Sequence, residues 1–234
     1  VIPNKNVLDK LLKEYFVLFQ PRDIVSGDFY YATQYEGKII ITAADCTGHG
    51  VPGAFMSMLG ISSLKEIVKV EHHLTASVLL DKLREYIISS FQQNSGKEED
   101  KRKDGMDVAM LMIDSEKNHI QFAGAFNGAI VVRGSELFEI NADRMPVGAF
   151  DNLQPFTNTI FDYEVGDLVY IFSDGYADQF GGPKDKKFMY RNFKELLLKI
   201  RNESMQRQKE ILWQTHLEWR NDVEQIDDII VIGI

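Results

Sequence analysis

Ile39-Ile40-Ile41-Thr42-Ala43-Ala44-Asp45-Cys46-Thr47-Gly48-His49-Gly50-Val51-Pro52-Gly53 is an apolar run that ends on an acid, turns on two glycines and leads through Pro52-Gly53 into a helix. Acids beside turns at the ends of apolar runs recur at Ser26-Gly27-Asp28, at Ser173-Asp174-Gly175 and at Gln225-Ile226-Asp227-Asp228-Ile229. An aspartate at a strand end with a turn beside it is an oxygen ligand held on a rigid edge. Several such ligands converging on one point suit hard divalent cations. Two such cations can hold a water and a phosphate between them. The residues alone therefore put a metal-dependent phosphatase first among function classes.

Working outward, residues 15–19 read as a short strand. Phe29–Tyr35 and residues 38–44 flank the turn Glu36-Gly37 and read as a hairpin. Residues 53–69 form a helix that is apolar nearly all round, which predicts burial. A second helix starts at Thr75 as N-cap and carries Leu79, Leu83, Ile87 and Phe91 on one face. Strands follow at 107–113, 119–123, 129–133 and 136–140, with Gly134-Ser135 as a two-residue hairpin turn. Residues 156–163 and 168–173 read as a further strand pair turned by Gly166-Asp167. Helices near 188–200 and 205–223 precede a last strand at 229–234. Regular βαβ alternation is missing, so the expected class is α+β, with antiparallel sheets packed together and helices outside.

The 234 residues suit one large domain or two small ones, and 44% hydrophobic residues can fill a substantial core. The formal charge is −9, with 35 acids against 26 bases. There is no basic stripe of the kind a nucleic-acid binder carries, so no nucleic-acid partner is expected. Residues 97–104 mix four acids with four bases and read as a solvated loop. Cys46 is the single cysteine, which excludes an intrachain disulfide and fits a reducing compartment. No apolar run approaches the ~20 residues of a membrane span, so no direct membrane insertion is expected. The expected location is cytoplasmic. The start at Val1 rather than Met suggests a piece of a longer chain, whose other regions would include any membrane tether.

Other phosphate chemistries fail on their residues. The glycine spacing of Gly48 to Gly53 is that of a P-loop, but Ala54 and Phe55 stand where Lys and Ser or Thr are needed. A cysteine-dependent phosphatase needs Cys, five residues, then Arg, and Pro52 occupies that place.

The segments Pro21-Arg22-Asp23-Ile24-Val25-Ser26-Gly27-Asp28-Phe29-Tyr30, Ala44-Asp45-Cys46-Thr47-Gly48-His49-Gly50-Val51-Pro52-Gly53-Ala54, Phe172-Ser173-Asp174-Gly175 and Asp227-Asp228 resemble the motifs of SpoIIE-like phosphatases. These are the bacterial branch of the metal-dependent PPM (type 2C) serine/threonine phosphatases. The resemblance spans about residues 15–234, with residues 1–14 left as the end of an upstream linker or an N-terminal helix. It implies an α-β-β-α sandwich and two divalent cations, Mn²⁺ or Mg²⁺. Asp45 would bridge both, the Cys46 carbonyl would be a backbone ligand, Asp174 and Asp227 would hold the first, and Asp28 would support the second. A bridging water would attack phosphorus. Arg22 is a candidate phosphate clamp, His49 a candidate proton donor to the leaving oxygen, and Asp107 a candidate accessory ligand. Asp228 is expected to orient Asp227, and Asn127 to serve a turn. Many relatives carry an acid where this chain has Tyr31, which suggests a cluster weakened at one edge.

The resemblance further implies a phosphorylated protein substrate, such as an anti-sigma-factor antagonist in partner switching. It also implies control by an upstream sensor or linker acting on helix 53–69, and it is compatible with a homodimer. Arg22, Lys184, Lys186 and Lys187 are candidate basic contacts for an acidic partner. His72-His73 read as helix-terminal charge, and Trp213 and Trp219 as packing. Two competing classes are a catalytically silent binding module of the same fold and a small-molecule metal phosphodiesterase.

Overall fold

The computed structural model describes residues 5–48, 50–92 and 104–234. In chain order the elements are α1 (Lys5–Leu11), β1 (Phe16–Gln20), β2 (Phe29–Tyr35), β3 (Lys38–Cys46), α2 (Gly50–Val70), α3 (Ala76–Gln92), β4 (Gly105–Asp114), β5 (His119–Ala125), β6 (Ala129–Arg133) and β7 (Glu136–Ile140). They continue as β8 (Val147–Gly148), β9 (Thr159–Asp162), β10 (Leu168–Phe172), α4 (Gly175–Asp178), β11 (Phe180–Gly181), β12 (Lys186–Lys187), α5 (Tyr190–Ile200), α6 (Met205–Arg220) and β13 (Ile229–Gly233). One sheet runs β1-β13-β10-β6-β7. The other runs β2-β3-β4-β5-β9, with β8 also on β4, and β11-β12 form a separate small ribbon. The strand pairs in both sheets are antiparallel.

Side chains alternate along each strand, so every strand of a two-sheet stack feeds two cores. On β3, Ile41 and Ala43 enter the layer between the sheets, while Ile40 and Ala44 face α2 and α3. On β10, Val169 and Ile171 face the inter-sheet layer, whereas Tyr170 and Phe172 pack under α5 and α6. Three apolar layers therefore separate four layers of backbone, the α-β-β-α sandwich of two antiparallel sheets flanked by helices.

Two expectations need correction. Residues 156–163 and 168–173 do not pair. The turn at Glu164–Asp167 forms, with Asp167 N–H on the Glu164 carbonyl at 3.1 Å. The strands then part, β9 joining β5 and β10 joining β6 and β13 in the opposite sheet. A turn signal is local, but pairing is decided by the strand that offers a matching edge. Helix α2 is not buried all round. Ile61, Leu64 and Ile67 are buried, while Val51, Phe55 and Met58 are 63%, 68% and 50% exposed. A helix in an outer layer keeps one face outward. Residues 97–103 of the charged run lie outside the described residues.

The inter-sheet layer should dominate stability. Ile171 is fully buried there. Ile171→Ala should cost about 2–5 kcal/mol and lower the Tm by about 5–15 °C for a domain of this size. Calorimetry or chemical denaturation checks this, and a loss under 1 kcal/mol would contradict the layer assignment.

Candidate metal centre

The strand register builds the acidic site. Asp45 on β3 lies directly opposite Asp107 on β4. The β2–β3 register pairs Phe29 with Ala44, so one step further Asp28 faces Asp45. Asp28, Asp45 and Asp107 thus form one row across three strands of one sheet. All three have the parity of the inter-sheet face, since their next-but-one neighbours Tyr30, Ala43 and Ala109 sit in that core. The row is the continuation of the inter-sheet layer at the end of the sandwich. The other sheet closes over it, with Asp174 one residue past Ser173 at the end of β10 and Asp227-Asp228 leading into β13. The two strands are antiparallel neighbours, with Ser173 N–H bonded to the Ile230 carbonyl at 3.0 Å.

Asp228 ties the sheets together at this point. Its carboxylate accepts hydrogen bonds from the backbone N–H groups of Arg22 (2.7 Å), Gly27 (2.7 Å) and Asp28 (3.3 Å). Its own N–H donates to Asp227 Oδ1 at 2.8 Å, fixing the neighbouring carboxylate. Glycines permit the close approach. A Cβ on Gly175 would lie 2.0 Å from the Asp228 carbonyl oxygen, and one on Gly53 would lie 2.2 Å from the Gly48 carbonyl oxygen. The Ser57 hydroxyl of α2 contacts the Gly27 and Gly53 carbonyls, locking α2 to the Asp28 loop.

Like charges crowd this end. Burial, then Asp228 and Asp227, push the Asp28 carboxyl well above the ordinary carboxylate range, although a hydrogen bond from Ser173 opposes the shift. Burial and then Asp28, Asp174, Asp227 and Asp107 push Asp45 up further. Asp174 is raised by desolvation and by Asp227, and Asp107 is pushed to about 6 by burial and Asp174. Asp45 is within hydrogen-bonding reach of both Asp28 and Asp174. Neighbouring carboxylates hold together only with a proton or a cation between them.

The donor set fits hard divalent cations. It is all oxygen, and Asp28 Oδ2 is buried without a hydrogen-bond partner among the described residues. Asp174 stands at the N-cap position of α4 yet makes no side-chain cap bond, so the bland capping role does not account for it. Among the described residues, no three His, Cys, Asp or Glu side chains are placed closely enough to hold a metal ion as they stand, so the carboxylates would have to draw together around a cation. Burial decreases from Asp28 through half-buried Asp45 and Asp107 to exposed Asp174, so the site opens to solvent on the Asp174 side.

The structure brings Asp28, Asp45, Asp107, Asp174 and Asp227 together, with Cys46 buried at the adjoining end of β3. Arg22 lies near by, but its guanidinium is exposed and donates to the Ile226 carbonyl at 2.9 Å. His49 lies outside the described residues. Tyr31 is buried under the helices, so position 31 faces away from the acidic row and an acid there would not join it. His72 is exposed beside Glu36 at 3.8 Å, and Trp219 packs on Phe188 and donates to the Gln179 carbonyl. Ser173 is a site residue that the sequence reading missed. It accepts from Ile230 N–H at 2.9 Å and reaches Asp28.

The raised carboxyls set the pH dependence of the metal-free chain. Each binds its proton more tightly folded than unfolded, so each supports the fold at low pH and loses that support as pH rises. The window opens near the ordinary Asp value of about 4 and runs through about 6 for Asp107. Metal-free Tm should therefore fall between pH 5 and pH 8, and Mn²⁺ should restore it at pH 8. Asp45→Asn should raise the metal-free Tm at pH 8 by about 3 °C or more and remove most of the Mn²⁺ effect. A variant less stable than the parent without metal would contradict the repulsion.

Comparison with known proteins agrees with this fold. The family model for Stage II sporulation protein E (SpoIIE) matches residues 35–234. The SiaA-PP2C domain of Pseudomonas aeruginosa superposes with a TM-score of 0.88 at 26% identity, covering 100% of this chain and 90% of that one. The PP2C phosphatase domain of SpoIIE from Bacillus subtilis, solved with a fragment of its regulatory domain, gives 0.74 at 18% identity, covering 94% of this chain and 60% of that one. The RsbU and RsbW domains of Rv1364c from Mycobacterium tuberculosis give 0.71 at 17%, covering 94% and 58%. The last two likenesses speak for the fold alone. No functionally curated protein matches the sequence. With its two-sheet sandwich, its acidic strand ends and a family match over most of its length, the chain belongs to the SpoIIE family of PPM-type protein phosphatases.

Proposed function

We propose that this phosphatase hydrolyses phosphoserine or phosphothreonine in a regulatory protein of the partner-switching kind. The observation that carries the reading is the convergence of Asp28, Asp45, Asp107, Asp174 and Asp227 from the ends of two sheets, with a buried Asp28 oxygen left unpaired among the described residues. Asp45, within hydrogen-bonding reach of both Asp28 and Asp174, would be the ligand shared between two cations. Asp174 and Asp227 would hold one cation, Asp28 would support a second, and the Cys46 carbonyl would complete the set. Mn²⁺ or Mg²⁺, when bound there, would make a water more acidic and offset negative charge on the phosphoryl oxygens.

The remaining roles belong to the chain's own groups. Asp228 is a positioning residue, since it holds the backbone of residues 22–28 from behind. Arg22 could clamp a phosphate with its planar fork, but only by leaving the Ile226 carbonyl. His49 precedes α2 and is assigned to protonating the leaving oxygen. Asp107 is the candidate for an accessory cation. Ser57 couples α2 to the Asp28 loop, so an upstream sensor or linker that shifts α2 would act on the acidic row directly. No described helix is long and apolar enough to cross a membrane.

Release of phosphate from p-nitrophenyl phosphate in Mn²⁺ tests the reading. Turnover should vanish with chelator and fall roughly 10²-fold or more in Asp174→Asn. Phosphodiesters should not be cleaved. Tight Mn²⁺ binding with no turnover on monoesters or phosphopeptides would favour a catalytically silent module instead.

A further inference from the structure

A cleft of about 1020 Å³ opens beside Asp174, on the solvent side of the acidic row. One wall is the crossover from β5 to β6, with Phe126 and Asn127, together with Arg144 from the segment after β7. Lys187 and Met189 also line it. Four features mark the cleft as a binding surface.

Arg144 is exposed, and among the described residues it alone of the arginines donates no hydrogen bond within the protein. Arg22, Arg84, Arg133, Arg191, Arg201, Arg207 and Arg220 each reach a carboxylate or a carbonyl. Apart from Asp174 of the acidic row, the other charges of the cleft are paired, Lys187 with Asp178 at 2.7 Å and Glu139 with Lys194 at 2.7 Å. In a chain of net charge −9, the cleft therefore offers one uncommitted guanidinium. Asn127 Nδ2 is buried and makes no hydrogen bond among the described residues. A buried donor without an acceptor is costly unless something supplies one.

Phe126 and Met189 adopt φ of 56° and 74°. Large side chains rarely adopt this region, and where they do the surrounding structure holds them. Phe126 N–H is fixed by the Asp143 carbonyl at 2.9 Å and Met189 N–H by the Ala177 carbonyl at 2.7 Å. The result is two apolar side chains, 47% and 56% exposed, on the walls of the cleft.

We propose that this cleft seats the polypeptide flanking the phosphorylated residue, that Arg144 selects an acidic side chain in that flank, and that Asn127 donates to a carbonyl of the bound peptide. The proposal rests on the phosphoprotein phosphatase reading. Guanidinium–carboxylate pairing across an interface sets preference more than raw affinity, so Arg144 is a specificity residue rather than a catalytic one.

Two phosphothreonine peptides of equal length, one with Glu and one with Lys at the flanking positions, test it against the 234-residue chain in Mn²⁺. The parent should favour the Glu peptide in kcat/KM by about tenfold, carried by KM. Arg144→Glu should abolish or invert that preference, with a loss on the Glu peptide about tenfold larger than on p-nitrophenyl phosphate. Arg144→Lys should keep most of it. No preference in the parent, or an equal loss on p-nitrophenyl phosphate, would overturn the proposal while leaving the phosphatase reading intact. Absence of turnover on every substrate would instead sink that reading, and fluorescence anisotropy of the two labelled peptides would then decide the cleft. Tighter binding of the Glu peptide that Arg144→Glu cancels would sustain it, and equal binding of both would overturn it.

Discussion

The Asp228 carboxylate is the tie on which the site depends. It belongs to the chain leading into β13 in one sheet, yet it accepts from three backbone N–H groups of the segment leading into β2 in the other. A buried carboxylate is tolerated only when donors satisfy it, and oriented backbone amides do so without adding a counter-charge. The arrangement fixes the spacing between the sheets at the end where Asp28, Asp45 and Asp107 emerge. Gly175 then lets the Asp174 turn close onto the Asp228 carbonyl, at a distance no side chain would allow.

What Asp228 holds together is a set of groups that repel one another. The acidic row continues the face that elsewhere carries Ile41, Ala43 and Leu111, so alternation aims the carboxylates into a region of low dielectric. Their raised proton affinities express that conflict. Sites kept for function commonly oppose stability in this way. The apolar layers behind the site, with Ile171 and Ile230 fully buried, supply the stability that tolerates it. The conflict lessens toward the exposed Asp174, which is also where the cleft carrying Arg144 begins.

Much of this was legible in the sequence because it is local or periodic. Glu36-Gly37 gave the β2–β3 hairpin, the four-residue spacing of Leu79, Leu83 and Ile87 gave the buried face of α3, and acids at turns gave the ligand candidates. The parts that escaped are long-range. Gly166-Asp167 correctly marks a turn, but nothing near it says that β9 and β10 enter different sheets. The outward stripe of Val51, Phe55 and Met58 is hidden in a helix whose apolar residues point all ways. β8, β11 and β12 have two residues each, too few to show a period. Tyr31 looks like a missing acid in a motif, and only the strand's parity shows that it faces the helices. Arg144 carries no local signal at all, because its distinction is the partner it lacks among the described residues.

The central claim is that carboxylates from two sheets form one cation site in which protons and metal compete. Calorimetric titration of Mn²⁺ at pH 7.5, in two buffers of different ionisation enthalpy, measures it most directly, because the difference between them reports protons released on binding. Binding accompanied by net proton release, and weakened in Asp45→Asn, is the result the account predicts. Binding without proton release, or binding unchanged in Asp45→Asn, would contradict it.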